Sequence, residues 1–243
     1  MLFFKKVKNY GLYCFVSGIA SNCNSYFYIC YKDKKSSEPT SQLLKAFFFG
    51  VLSAPLSFCL SIPFGIIGLY PDEVTTILGS VSNAFFAAAV PEEIAKLFML
   101  WLLLRKNRYF DEKMDGIVYA VCVSLGFAAL ENILYLFSNY EEFLSVGISR
   151  ALFAVPGHFC FGILMGYYYS LAKFSSKALL KNKVFTLIAP ILIHGAYDSI
   201  LFVAGLTPQL SCVLIIVFLL FCHKMWKYAT QRIEAHLKRD FIA

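Results

Sequence analysis

The chain has 243 residues, of which 59% are hydrophobic and only 15% are charged, and its formal net charge at pH 7 is +7. Its mean hydropathy of +0.65 is far above that of a soluble globular domain, which excludes an ordinary water-soluble enzyme. The basic charge does not indicate nucleic-acid binding, because the Lys and Arg residues collect between apolar segments and no nucleic-acid-binding motif is present.

Seven apolar segments are long enough to cross a bilayer, which takes about 20 residues of helix. In chain order they are 10–31, 42–69, 79–104, 116–138, 148–172, 184–204 and 209–226. The pattern predicts an all-α fold, a polytopic transmembrane bundle of about seven helices. We interpret residues 1–243 as a single integral-membrane domain with a basic lead at 1–9, the bundle at 10–226 and a basic tail at 227–243. The polar first segment leaves open whether it crosses the membrane or lies on it.

The distribution of basic residues predicts the orientation of the chain. If the segments alternate across the membrane, the loops on one side carry 17 Lys and Arg residues and those on the other side carry four. Basic loops face the cytoplasm in membrane proteins, so the C-terminus is predicted to be cytoplasmic. The eight cysteines form no CxxC pair and are interpreted as packing residues without a disulfide framework.

Two adjacent carboxylates, Glu92 and Glu93, lie within the third apolar segment. A bilayer penalises even one buried carboxylate by about 2.5–3.5 kcal/mol, so a pair is hard to explain as packing. The other ionisable residues inside the segments are few, and at 1.5 Å per helical residue they fall at similar depths. They are Lys96, Glu131, His158, His194 and Asp198. We therefore predict that the helices share one polar cavity within the membrane.

Helical spacing suggests partners for some of these side chains. Glu92 and Lys96 are four residues apart, so a pair between them would leave Glu93 for another task. His194 and Asp198 have the same spacing, and Asp198 either orients the imidazole or shares its site. Two other residues are interpreted as supporting ones, Asn132 as an orienting residue for Glu131 and Arg150 as an interfacial residue or ion-pair partner of the site.

Imidazoles together with carboxylates form a ligand set that zinc accepts, with an open position for an acidified water and a nearby glutamate as its base. The residues come from separate helices and not from an HExxH pair, so spacing alone indicates a metal only weakly. Each residue also has a structural interpretation, such as a hydrogen-bonded core histidine or a buried ion pair.

Five stretches of the chain resemble the PrsW-type intramembrane proteases, relatives of the CAAX prenyl-protease and bacteriocin-processing membrane superfamily. Glu92, Glu93 and Lys96 resemble an EExxK motif, Phe127 and Glu131 an FxxxE motif, and residues 194–198 an HGxYD motif. Two further matching stretches are 110–119 and 150–158, and the five occur in the family's order.

The resemblance implies an intramembrane endopeptidase of a bacterial cytoplasmic membrane. Its expected substrate is a single-pass anti-sigma factor, cleaved at a first site in a stress response. The expected catalytic residues are Glu92, Glu93, Glu131, His158, His194 and Asp198, with Glu93 as general base and Glu92 as its partner. Zn²⁺ is the hypothesised cofactor, with Glu93, Glu131, His158 and His194 as ligands. Whether the family uses zinc or its carboxylates alone is left open at this stage.

Two other functions fit part of the pattern. Chains of Glu, His and Asp inside a membrane also serve as relays in proton or ion transporters. The sequence has no obvious inverted repeat, which counts against a transporter. A non-catalytic membrane scaffold is the other alternative, and the complete set of motifs counts against it.

Overall fold

A computed structural model describes residues 38–175 and 178–240. The helices are α1 (Thr40–Ile66), α2 (Ile77–Ser82), α3 (Val90–Leu104), α4 (Lys113–Ser138), α5 (Phe143–Ser149), α6 (Val155–Phe174), α7 (Leu179–Leu206) and α8 (Ser211–Asp240). Two π-helical segments, Asn83–Ala89 and Arg150–Ala154, connect α2 to α3 and α5 to α6, and a 3₁₀ turn covers Tyr140–Glu142. The described residues contain no β-strand, so the prediction of an all-α fold is confirmed.

Five helical runs in the described part of the chain are long and apolar enough to cross a membrane. They are Thr40–Ile66, Lys113–Ser138, Tyr140–Phe174, Leu179–Leu206 and Ser211–Leu237, and they correspond to five of the seven predicted segments. The predicted segment 79–104 is also helical, although it is not among the five. The predicted segment 10–31 lies outside the described residues. The last predicted segment ended at residue 226, whereas α8 continues to Asp240.

Helix α4 lies at the centre of the bundle, and its main neighbours are α1 and α6. Within its most apolar stretch, 72% of the residues are buried inside the protein, against 17% for α8. The outer helices instead expose large apolar side chains, such as Phe48, Ile66 and Leu220. An apolar outer surface on a bundle of long helices is what contact with lipid requires.

Glycines allow α4 to approach its two neighbours closely. A Cβ atom on Gly126 would lie 2.0 Å from the carbonyl oxygen of Phe47 on α1. A Cβ atom on Gly166 of α6 would lie 2.2 Å from the carbonyl oxygen of Gly116 on α4. Small residues at such crossings let helix backbones pack directly in membrane proteins. The close approach brings the polar residues of α4 and α6 within reach of each other.

Each π-helical segment ends two residues before a proline. Pro91 and Pro156 are each the second residue of their helices, α3 and α6. A proline cannot donate the helical hydrogen bond, and its ring crowds the carbonyl group one turn earlier. The wider π-helical turn relieves that crowding, and such turns are frequent at functional sites. Each one also sets the rotation of the ionisable residues that follow it in the chain.

Candidate active site

The structure brings all the ionisable residues predicted from the sequence into one cluster. Helix α3 contributes three of them, α4 and α6 one each, and α7 two, and Arg150 joins them from its π-helical segment. Most of these side chains are buried inside the protein. The cluster comprises Glu92, Glu93, Lys96, Glu131, Arg150, His158, His194 and Asp198.

The ammonium group of Lys96 is fully buried and contacts three polar partners. Its Nζ lies 2.8 Å from Glu93 Oε1, 3.3 Å from Glu92 Oε2 and 3.1 Å from His158 Nδ1. It also stands 4.0 Å from the centre of the Phe127 ring. The sequence suggested Glu92 as its partner, but the shorter contact is with Glu93. Because an ammonium group only donates, Nδ1 of His158 accepts, and a neutral ring then carries its hydrogen on Nε2.

Glu131 is held by two donors from α6 and the segment before it. Its Oε2 accepts from Arg150 Nη2 at 2.6 Å and from His158 Nε2 at 2.9 Å. The same guanidinium donates from Nε to Asn132 Oδ1 at 2.7 Å and lies 3.8 Å from the centre of the Tyr135 ring. Arg150 is therefore an ion-pair partner of the site, which was one of the two roles suggested by the sequence.

His194 on α7 connects the two glutamates of α3. Its Nδ1 lies 2.9 Å from Glu93 Oε1, while its Nε2 lies 3.2 Å from Asp198 Oδ2 and 3.9 Å from Glu92 Oε2. The ring stacks on Phe161 with a centroid distance of 4.5 Å. A neutral His194 ring can donate from Nδ1 to Glu93 or from Nε2 to Asp198, and the other nitrogen then faces a carboxylate with its lone pair.

A cavity of about 400 Å³ opens onto one side of the cluster. Glu93 and Lys96 do not line it, and neither side chain has exposed surface. The cluster therefore has a dry part behind the cavity and a part that faces it. The facing residues are Glu92, Glu131, Arg150, His158, His194 and Asp198, with Phe153, Phe202 and Phe218 among the apolar ones.

Two groups of potential metal ligands occur in the cluster, and both include Glu92. One adds Glu93 and His194, the other adds Glu131 and His158, and the ligand atoms of each group lie within 4.8 Å of one another. The four ligands expected from the sequence are thus divided between the two groups. A third group in the described residues, Glu38 with Asp111 and Asp115, lies apart from the cluster.

The first group fits a metal ion better than the second. Oε1 of Glu93 is occupied by Lys96 and His194, but Oε2 is buried and accepts no hydrogen bond from the described residues. Buried oxygens normally have a partner, so this atom is available to a cation. In the second group, Glu131 and His158 are already engaged by permanent cations.

The charge balance of the cluster also favours a divalent cation. With neutral imidazoles, four carboxylates face only two permanent cations, and the net charge is −2. A buried charge of this size is costly unless it is paired or coordinates a metal. The four carboxylates are Glu92, Glu93, Glu131 and Asp198, and the cations are Lys96 and Arg150.

Three aromatic residues that hold the cluster were not predicted as site residues. Phe127 lies against Lys96, Tyr135 against Arg150 and Phe161 against His194. Helical spacing offered a signal, because Phe127 and Tyr135 each stand four residues from Glu131 and so share its helix face. Which ring meets which charge depends on packing between helices, which spacing does not give.

The fold and the cluster together define a class of protein. It is a multi-pass membrane protein in which carboxylates and imidazoles from several helices surround a cavity, an arrangement suited to hydrolysis with a bound metal. The family model described as "PrsW family intramembrane metalloprotease" matches residues 38–223. The chain belongs to this family, which confirms the resemblance of its motifs and identifies it as a peptidase.

Curated relatives agree with this assignment. The chain is 39% identical over 177 residues to "Protease PrsW" of Geobacillus kaustophilus (strain HTA426), covering 73% of each protein. It is 40% identical over 178 residues to "Protease PrsW" of Bacillus subtilis (strain 168), covering 73% of this chain and 76% of the relative. It is 33% identical over 223 residues to "Protease PrsW" of Clostridioides difficile (strain 630), covering 88% and 87%. No solved structure matches the chain significantly.

Proposed function

We propose that this peptidase works in the cytoplasmic membrane of a bacterium and cleaves a single-pass membrane protein, an anti-sigma factor, in a stress response. The observation that carries the proposal is the cluster of carboxylates and imidazoles that opens onto a cavity within a bundle of apolar helices. The basic loops 105–113 and 173–183 support an orientation with the C-terminus in the cytoplasm.

Glu92, Glu93 and His194 would hold the metal ion, which we propose is Zn²⁺. Glu93 would offer Oε2 and His194 would offer Nδ1, and the His194 ring would be fixed by a hydrogen bond from its Nε2–H to Asp198 Oδ2. A carboxylate that accepts from the second nitrogen of a ligand histidine is the usual support for such a site. When bound, the ion would polarise and acidify a water molecule in the cavity.

Glu131 is the proton carrier in this proposal. It faces the cavity, whereas Glu93, the base expected from the sequence, has no exposed surface. Glu131 takes a proton from the water as the water oxygen bonds to the peptide carbonyl carbon. It then gives the proton to the leaving nitrogen as the carbon–nitrogen bond breaks. Arg150 and the Nε2–H of His158 hold its carboxylate in place during both transfers.

The cavity suits an unwound stretch of a membrane-spanning substrate. A peptide bond inside a helix is shielded by its own hydrogen bonds, so the substrate must unwind before its carbonyl can be attacked. The polar floor of the cavity would then accept the exposed backbone groups, and the rings of Phe153, Phe202 and Phe218 would contact its apolar side chains. Because the cavity offers both polar groups for a backbone and apolar rings for side chains, it supports a single-pass membrane protein as the substrate class.

The test uses the purified full chain in vesicles with a single-pass anti-sigma factor, and measures both cleavage and bound zinc. Glu131→Gln should lower the cleavage rate by about 10²–10⁴-fold and keep the zinc. His194→Ala should lose the zinc and the cleavage together. His223→Ala, which removes an exposed histidine of α8, is the control and should keep both.

Undiminished cleavage by Glu131→Gln would refute its role as proton carrier, and full zinc content in His194→Ala would refute the ligand assignment. The substrate is tested separately, by comparing membrane proteomes of cells that carry the wild type or Glu131→Gln. An uncut single-pass anti-sigma factor should accumulate with the variant. If a different class of protein accumulates instead, the proposed substrate is wrong.

A further inference from the structure

A second and larger cavity lies between helices α3, α6 and α7, and it shares no lining residue with the cavity at the active-site cluster. Its volume is about 660 Å³, and we call it the basic-end cleft because it lies where these helices carry Arg105, Lys173 and Lys183. Its walls are mostly apolar and include Leu97, Phe98, Trp101 and Leu187. None of the residues that the proposed hydrolysis uses lines this cleft.

The walls of the cleft are suited to a hydrocarbon chain. Phe98 and Trp101 are both 45% exposed, although each is a large aromatic side chain. Trp101 lies one turn before Arg105, and the guanidinium carbon of Arg105 is 5.1 Å from the centre of its ring. Tryptophan next to a basic residue is typical of the level of the lipid headgroups. The cleft therefore joins an apolar wall to a charged mouth at the membrane surface.

The mouth of the cleft is positively charged. Three of the residues that line it are basic, and none of the lining residues in the described part of the chain is acidic. Lys173 is held by a hydrogen bond to the carbonyl oxygen of Phe110. Arg105 and Lys183 are exposed, and neither has a carboxylate within 4.0 Å among residues 38–175 and 178–237. Two cations are thus available to an anionic group.

We propose that the basic-end cleft binds one anionic phospholipid, with its phosphate on Arg105 and Lys183 and an acyl chain along Leu97, Phe98 and Trp101. A free anion would leave the apolar walls uncovered, and a neutral lipid would leave the cations unpaired. Basic pockets between transmembrane helices at the cytoplasmic side are suited to such headgroups. The cleft matches that description in its lining and its charge, and its position at the cytoplasmic side rests on the proposed orientation.

The bound lipid also supports the helix that carries the site. Lys96 and Leu97 are neighbours on α3, and they point to the cluster and to the cleft respectively. A lipid in the cleft would pack against the side of α3 that faces away from Glu93 and Lys96. A lipid bound in the cleft should therefore raise the free energy of unfolding of the protein.

The experiment measures phosphatidylglycerol retained by the purified full chain in native mass spectrometry, with phosphatidylcholine as the neutral lipid. The double variant Arg105→Gln/Lys183→Gln should bind phosphatidylglycerol at least about tenfold more weakly, because it loses two charge-assisted contacts to phosphate. Lys106→Gln/Lys181→Gln is the matched control, since it removes two exposed basic charges next to the same ends of α3 and α7 but outside the cleft. It should bind phosphatidylglycerol like the wild type.

A third variant, Ala172→Phe, tests the apolar part of the cleft without changing any charge. Its added ring should fill part of the cleft and also weaken retention of phosphatidylglycerol. If both double variants lost phosphatidylglycerol equally, the lipid would be held by general attraction to a basic surface, and the proposal would be overturned. Unchanged retention in Arg105→Gln/Lys183→Gln, or a cleft variant that alters only the binding of a protein substrate, would overturn it as well.

Discussion

Two carboxylate–cation pairs in the site have the same chemistry but different surroundings. Lys96 and Glu93 lie 2.8 Å apart, and both side chains are 0% exposed. Arg150 and Glu131 lie 2.6 Å apart, with side chains 15% and 16% exposed at the cavity. Because neither side chain of the first pair has exposed surface, we expect this pair to stabilise the architecture rather than to exchange protons with a substrate. The second pair, which a water molecule can reach, is the one suited to proton transfer.

The largest effect on stability is expected from a substitution that breaks the fully buried pair of Lys96 and Glu93, which we call the dry pair. Lys96→Met keeps the length of the side chain but leaves the carboxylates of Glu92 and Glu93 buried without their shared cation. Removing one partner of a buried pair costs about 3–5 kcal/mol of stability. We expect a loss of this size in the free energy of unfolding, measured in mixed micelles.

The control for this prediction is Lys106→Met, which removes an exposed lysine and should change the free energy of unfolding by less than about 0.5 kcal/mol. The double variant Lys96→Met/Glu93→Gln removes both charges of this pair and should recover part of the lost stability, because only the Glu92 carboxylate, which faces the cavity, is then left without its cation. Equal stability of Lys96→Met and Lys106→Met would show that the dry pair does not hold the architecture.

Breaking the cavity-facing pair should affect catalysis more than stability. Arg150→Gln leaves Glu131 with His158 as its remaining donor, so the carboxylate is no longer fixed. Misplacement of a catalytic group by about 1 Å costs about 10²-fold in rate. We expect kcat to fall about 100-fold with KM nearly unchanged, and the loss in the free energy of unfolding to stay below about 2 kcal/mol.

Arg150→Lys is the informative companion in that experiment. A lysine restores the positive charge but cannot contact Glu131 and Asn132 together in the way the guanidinium does. It should therefore recover only part of kcat. Full recovery would mean that charge alone matters, and an unchanged kcat in Arg150→Gln would contradict the role of the pair in positioning Glu131.

The sequence predicted which residues would meet, and the two pairs that spacing suggested within a helix are present. It did not predict the pairs between helices. Apolar segment lengths and helical depth were enough to bring Glu92, Glu131, His158 and His194 to one cavity. The partner of Lys96 was not decided by spacing, since residues three and four positions apart share one helix face. The distinction between Glu92 at the cavity and Glu93 behind it follows from the rotation of α3 after its π-helical segment. A hydropathy pattern contains no signal for such a turn.

A smaller loss of stability is expected from a substitution that crowds the packing beside the dry pair. A Cβ atom on Gly195 would lie 2.3 Å from the Phe85 ring, so either the ring or α7 must move. His194 precedes this glycine, and its contact with Glu93 would be strained by the movement. Overpacking of this kind typically costs about 1–3 kcal/mol. We expect Gly195→Ala to lose stability in this range and to bind zinc less tightly in a competition assay.

Gly205→Ala is the matched control on the same helix, because no atom lies within 4 Å of the added Cβ there. Alanine favours helix over glycine by about 1 kcal/mol, so this control should be neutral or slightly stabilising. If the two alanine variants bind zinc equally well, the close contact with Phe85 does not position His194.

The smallest effect concerns a third carboxylate, Glu38, which lies just before α1 and accepts a hydrogen bond from Tyr119. Its side chain is only partly buried, unlike that of Glu93. Burial raises the pKa of Glu38 above its ordinary value, and the hydrogen bond from Tyr119 offsets only part of that rise. The folded chain therefore keeps this proton at a higher pH than the unfolded chain does. The resulting stabilisation is fully present below the unfolded pKa and is lost as the pH rises through the folded pKa.

Glu38→Gln should remove this dependence on pH. Between pH 4 and pH 8, the melting temperature of the wild type should fall by about 2 °C more than that of the variant. Glu141→Gln, which changes an exposed glutamate, should behave like the wild type. A loss of stability in Glu38→Gln as large as that expected for Lys96→Met would contradict the comparison of accessible and fully buried carboxylates. A carboxylate that water can still reach should cost less to disturb than one with no exposed surface.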